Sequence, residues 1–351
     1  MRWMIALCLL SLGWQAGLSA HDHEGPGTLL GELASAPGRA EWAPLSVLGG
    51  RADLLPWARQ ALHQPSATDR GRGALLLGML ELPAGQAAAH WALRDPAREV
   101  RLRAAVALCL LQDDTGIAGA RVALTEGPPW LRVYAVLGLW RLGDDRARAA
   151  LQAALPRQSE FLQDLMQAAL KTPPPPRLNP CAQPAPDQPV TDLTDAWERV
   201  ADAWVLESDH WWHKGNYDQC IRAQEAALEF DPQHVELYSN IAWLQWSMGR
   251  HGEAIRSYRR GLQANPDRWE AAHQLGLYYR GHGHLLLAEQ YFRRAAELGS
   301  PPVERRQWGH TLEKLGRPDE ALVAWQQVLK LDPTDPIARR QVERLSAPAQ
   351  R

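Results

Sequence analysis

At 351 residues with 46% hydrophobic side chains, the chain is long enough for about two domains of ordinary size and apolar enough to bury a core in each, which excludes wholesale disorder. Its 38 basic residues stand against 40 acidic ones, a formal charge of -2, so no excess of cations draws it to phosphate backbones or an anionic membrane. Nucleic acid is therefore not an expected partner.

Residues 1–20, MRWMIALCLLSLGWQAGLSA, place Arg2 before an apolar run from Trp3 to Leu12 and end on the small Ser19 and Ala20. This layout predicts a secretory signal peptide cut after Ala20, an exported (periplasmic or secreted) protein, and no stable membrane insertion after cleavage. The run is shorter than the about 20 apolar residues that span hydrocarbon. Leu18 is unusual two places before Ala20, so a retained membrane anchor is the alternative. Cleavage would leave His21, Asp22 and His23 at the amino terminus, where the amine, two amides and a third-position imidazole suit square-planar Cu(II) or Ni(II). That is the alternative function, an exported metal-binding or metal-dependent protein; the simpler reading of residues 21–40 is a polar mobile tail. Cys109, Cys181 and Cys220 then remain, an odd number that cannot close a disulfide framework. Cys109 and Cys220 read as inert core residues. Cys181 reads as an incidental linker residue, with an intermolecular disulfide or free thiol as alternatives.

Residues 41–171 predict helices in a weak repeat, with a period of about 31 residues that suits stacked helical units. VRLRAAVALCLLQDD from Val100 aligns with LRVYAVLGLWRLGDD from Leu131, and GRGALLLGMLEL aligns one period upstream, so that Arg70, Arg101 and Arg132 coincide, as do Leu77, Leu108 and Leu139. DPAREVRLRAAVALCLL resembles the short HEAT-like repeats named after phycobilisome lyases, with Asp95 and Pro96 opening a helix and an alanine and leucine stripe facing the next. In that reading the three arginines form a ladder bonding carboxylates or carbonyls in adjacent loops. An irregular helical bundle is the alternative.

Residues 172–190 hold TPPPPRLNPCAQPAPDQP, which cannot continue a helix and predicts an extended, semi-rigid spacer. The expectation is that it keeps the two flanking arrays from stacking on each other.

From residue 191 to 345 a second, slightly longer period appears. Gly215, Gly249 and Gly283 are evenly spaced and Gly316 follows one place early; Cys220, Ala254, Ala288 and Ala321 each come five places after their glycine, and Pro232, Pro266 and Pro333 close three of the units. KGNYDQCIRAQEAALEFDP, GRHGEAIRSYRRGLQANP, HGHLLLAEQYFRRAAELGSP and LGRPDEALVAWQQVLKLDP carry this punctuation, and with a period of about 34 residues they resemble tetratricopeptide repeats. Glycine permits the turn, the small residue lets helices approach, and proline ends the second helix. Gly261 in place of alanine and Ser300 in place of proline are departures expected to weaken local packing. Ile337 to Leu345, with Arg339, Arg340 and Arg344, predicts a capping helix before a tail at 346–351. Thr191 or Thr194 is the expected cap of the first helix, with Asp195 at its positive end. The fold class is all-α: two helical-repeat solenoids, HEAT-like then tetratricopeptide, joined by a proline-rich linker.

The resemblance implies a concave groove, lined by the first helix of each repeat, that takes a peptide from a partner protein. Position by position, it carries over to Asp209, Trp212 and His213; Asn240, Trp243, Trp246 and Ser247; His273, Gln274 and Arg280; and Arg306, Gln307, His310 and Lys314. Trp204, Trp211, Trp308 and Trp325 fall in slots that the family uses for packing. Trp212 and Trp246 hold one repeat position and are expected side by side. Exposed indoles there predict binding hot spots, although burial by neighbouring helices would explain them equally. RSYRRGLQ, with Arg256, Arg259 and Arg260, reads as a solvated outer face. The histidine pairs His210/His213 and His282/His284 lack further ligands for zinc. No Gly-x-Ser-x-Gly elbow, Walker-type loop, His-Glu-x-x-His helix or Rossmann fingerprint is present. The sequence thus predicts a non-enzymatic scaffold without a cofactor or a metal site.

Overall fold

The computed structural model describes residues 43–174 and 189–347. The signal segment, the His21–His23 terminus and Cys181 lie outside the described residues. Within them, every regular element is helical, and no helix is long and apolar enough to cross a membrane.

The first array comprises α1 (Ala43–Leu48), α2 (Leu55–Ala61), α3 (Ala67–Met79), α4 (Gln86–Ala92), α5 (Arg98–Leu110), α6 (Ile117–Glu126), α7 (Pro129–Leu142), α8 (Asp145–Ala154) and α9 (Glu160–Lys171). The starts of α3, α5, α7 and α9, at Ala67, Arg98, Pro129 and Glu160, are evenly spaced, and those of α2, α4 and α6 keep the same interval, so helical repeats of the expected period are present. A left-handed residue recurs at that interval after three of the longer helices: Glu81 (φ 56), Gln112 (φ 58) and Gly143 (φ 63). The arginine ladder forms. Arg70 donates to the carbonyls of Gln64 and Pro65 and grips Asp95; Arg101 donates to the carbonyls of Asp95 and Pro96; Arg132 donates to those of Gly127 and Thr125. Each guanidinium ties the first turn of a long helix to its preceding loop, satisfying carbonyls that a short loop leaves unpaired.

The second array pairs α10 (Leu193–His213) with α11 (Tyr217–Phe230), α12 (Val235–Ser247) with α13 (His251–Ala264), α14 (Trp269–Gly281) with α15 (Leu285–Glu297), and α16 (Pro302–Lys314) with α17 (Pro318–Leu331), then ends on α18 (Pro336–Ser346). Gly215, Gly249, Gly283 and Gly316 turn each pair at φ between 69 and 77°, a conformation that L side chains adopt at a cost. Asp192, rather than either threonine, caps α10 by accepting from Asp195 N–H, while Asp195 accepts in return from Thr191 N–H. Nor is Gly261 a packing defect: a Cβ there would lie 2.8 Å from that of Tyr238, so its absence is what lets α13 close on α12.

The two arrays do not stay apart across the proline-rich segment. One buried core runs from Leu45 to Leu244. The long α10 packs on α1 and α11 packs on α7. Trp197, Trp204 and Trp211 recur at heptad spacing on one face of α10. Trp204 meets Trp130 edge-on at 6.2 Å and Tyr134 at 4.8 Å, and Trp211 meets Phe161 at 6.4 Å. Charged groups close the rim. Arg103 pairs with Glu229 at 2.5 Å, lies over the Trp130 ring, and is joined on Glu229 by Arg72, which donates to its carbonyl. The spacer was expected to prevent stacking because proline stiffens a connection; stiffness does not outweigh Trp204 and Trp211, two large indoles that bury themselves against the first array.

Candidate functional site

An aromatic ridge follows the turns between paired helices of the second array. Trp212, near the end of α10, stacks obliquely on Trp243 of α12 at 5.6 Å and on Tyr217 of α11 at 5.5 Å. Trp246, one turn beyond Trp243, meets His282 at 6.1 Å, and its Nε1–H donates to His282 Nε2 at 3.0 Å. His282 Nδ1 lies 2.7 Å from the Tyr278 carbonyl, so Nδ1 is the donor and Nε2 the acceptor in these two bonds. Tyr278 stacks on His282 at 4.2 Å and His251 meets it edge-on at 6.0 Å.

These contacts leave Trp243 at 38% and Trp246 at 41% exposure, while Trp212 is half-buried by its two neighbours. Trp212 was expected beside Trp246; it meets Trp243 instead. Successive helix pairs are tilted, so the facing residue lies nearly one turn before the equivalent repeat position. His213 and Asp209 flank the ridge, both strongly exposed, 3.5 Å apart. Ser247 donates to the Leu244 carbonyl.

The remaining groove candidates sit in contacts of their own on α14 and α16. His273 lies between Trp269 and Phe292, and burial pushes its imidazole down to about 4, so it stays neutral at physiological pH. Arg280 donates to Gln307 and lies over the Phe292 ring. His310 meets Trp325 edge-on at 4.7 Å, and burial again favours its neutral form. Arg306 forks onto one oxygen of Asp335 at 2.7 and 2.8 Å, while the other oxygen caps α18 by accepting from Ile337 and Ala338 N–H. Arg306 therefore holds the capping helix. Asn240 and Gln274 are half-buried and Lys314 is exposed.

Tyr217, Tyr278, His251 and His282 complete the ridge and were missed as candidates. A signal was present: Tyr217 and His251 each stand two places after a turn glycine. Of the expected packing tryptophans, Trp204, Trp211 and Trp325 are buried, and Trp308 is half-buried with its Nε1–H donating to Glu289. Cys109 and Cys220 are buried free thiols, and burial pushes Cys220 up to about 12. Arg260 forks onto Glu225 and Arg259 donates to the Tyr279 hydroxyl.

Residues 240–301 and 305–335 match family models described as tetratricopeptide repeat. The C-terminal half thus carries these repeats, a scaffold fold compatible with protein–protein interaction. The chain is 28% identical over 107 residues to Protein bimA of Emericella nidulans, covering 30% of this chain and 13% of that protein. It is 26% identical over 122 residues to the Photosystem I assembly protein Ycf3 of Synechococcus sp., covering 34% of this chain and 60% of that protein. The chain therefore spans less than two thirds of either relative. Among solved structures it is similar to yeast Tom70, with 13% identity, coverage of 80% of this chain and 57% of that one, and a TM-score of 0.36.

Proposed function

We propose, from the premise that residues 240–335 are tetratricopeptide repeats, that this chain is an exported, non-enzymatic scaffold whose aromatic ridge docks an extended segment of a partner protein. The observation that carries this reading is the pair of indoles, Trp243 and Trp246, held exposed at 38% and 41% by fixed neighbours on each side. A stacked or hydrogen-bonded indole is already ordered before a partner arrives. Docking then loses little side-chain entropy and gains the burial of a large apolar face. The alternation of indole faces with His282, Asp209 and His213 offers apolar contacts flanked by polar groups, as a short peptide requires. Export rests on residues 1–20 alone.

Trp243→Ala with Trp246→Ala removes both faces and leaves the buried core intact. Each substitution is expected to weaken partner binding by about 2 kcal/mol or more, roughly thirtyfold in affinity. The measurement is quantitative capture from the native extract beside the unsubstituted chain, with helical content and unfolding midpoint as controls. A well-folded double variant that retains the same partners at the same affinity rejects the ridge.

A further inference from the structure

A cleft of about 390 Å³ opens where the two arrays meet, walled on one side by Pro128, Pro129 and Trp130 and on the other by Ile221, Arg222 and Leu228 of α11. It lies apart from the aromatic ridge and does not depend on it. Its two carboxylates are matched: Glu225 receives the fork of Arg260, and Glu229 pairs with Arg103. Arg222 is not. Among the described residues its guanidinium has no carboxylate partner, and its Nη1 is buried without a hydrogen bond. It lies over the ring of Phe161, 5.1 Å from the centroid.

Arg222 also lines a small void behind Trp130 where Tyr134 Oη, Trp204 Nε1 and Gln219 Nε2 are buried donors without partners, and Glu207 Oε2 is the unmatched carboxyl oxygen. Burial lowers the Arg222 pKa, the field of Arg132 and Arg250 adds to that, and Asp218 alone opposes it. A partly desolvated cation without a carboxylate partner is an unfavourable arrangement that an incoming anion relieves. We propose that this cleft binds a small organic carboxylate, whose oxygens accept from the edge of Arg222 and whose apolar body lies against Trp130, Ile221 and Leu228.

Benzoate, with neutral benzamide as its isostere, tests this by calorimetric titration of the full chain. Benzoate is expected to bind at one saturable site, with benzamide weaker by about tenfold or more because the charge-assisted bond is lost. Arg222→Gln should weaken benzoate by about the same factor and bring the two ligands together. Ile221→Trp, which fills the cleft and leaves Arg222 in place, should abolish binding; this variant decides the matter if Arg222→Gln does not fold. Absence of saturable benzoate binding at millimolar concentration, equal binding of benzamide, or benzoate binding unchanged in Ile221→Trp overturns the proposal.

Discussion

Glu207→Gln is expected to stabilise the protein, by an amount that grows as pH rises through neutral. Glu207 sits on α10 at 3% exposure, with a hydrogen bond of 3.3 Å from Trp211 Nε1 to one oxygen. Burial pushes the carboxyl from its ordinary 4.5 up to about 8. Between those values folded Glu207 holds a proton that the unfolded chain has released, so its contribution to stability falls as pH rises through the window and is level on either side. At about 1.4 kcal/mol per pH unit, the whole window amounts to on the order of 4–5 kcal/mol. Glutamine keeps the shape and carries no such proton. The difference between the urea midpoints of variant and parent, which cancels the titration of buried His273 common to both, should be near zero at the acid end and widen in favour of the variant as pH rises through this range; parallel curves would show that Glu207 does not hold its proton in the fold.

Trp204→Ala is expected to cost on the order of 3–5 kcal/mol, as large-to-small changes at buried aromatic positions do. The indole is 2% exposed and contacts Trp130 and Tyr134 of the opposite array, so its removal opens a cavity at the junction rather than inside one array. Because one core joins the first array to α10, α11 and α12, these parts of the parent should unfold in one transition reported alike by circular dichroism and fluorescence. The variant should unfold earlier, with the first array and the repeats separating into two steps. A single transition displaced by less than about 1 kcal/mol would mean that the junction contributes little.

Much of this architecture was legible because repeats place the same physical requirement at fixed intervals. Evenly recurring glycines in the second array mark left-handed turns that other residues adopt at a cost, and the arginines that recur at the shorter period of the first array mark loops with carbonyls to satisfy. The junction was less legible, since a proline-rich composition constrains the connection and carries nothing about the surfaces that it connects. Its signals were nevertheless in the chain: Trp197, Trp204 and Trp211 at heptad spacing on a helix longer than its neighbours, and a second row two places past the arginine ladder, Arg72, Arg103 and Tyr134, facing the repeats. The ridge was half legible. Repeat position identified its indoles, but the partner of each depends on the tilt between helix pairs, which spacing alone does not carry. For Arg306 the fate was set by Asp335, a cap residue whose side chain returns to the previous pair only once α18 has docked.

Both the ridge and the junction draw on tryptophan, in opposite ways. Indoles of α10 at positions 204 and 211 are hidden and join the arrays; those at 243 and 246 are held by neighbours yet left open to solvent. Photo-crosslinking distinguishes the two uses. With p-benzoylphenylalanine at position 243, irradiation in the native extract should join the chain to a specific partner protein, and the same group at the exposed Val323 of α17 should not. Equal adducts from both positions, or none from position 243 while the native protein still co-purifies with its partner, would place recognition elsewhere on the molecule.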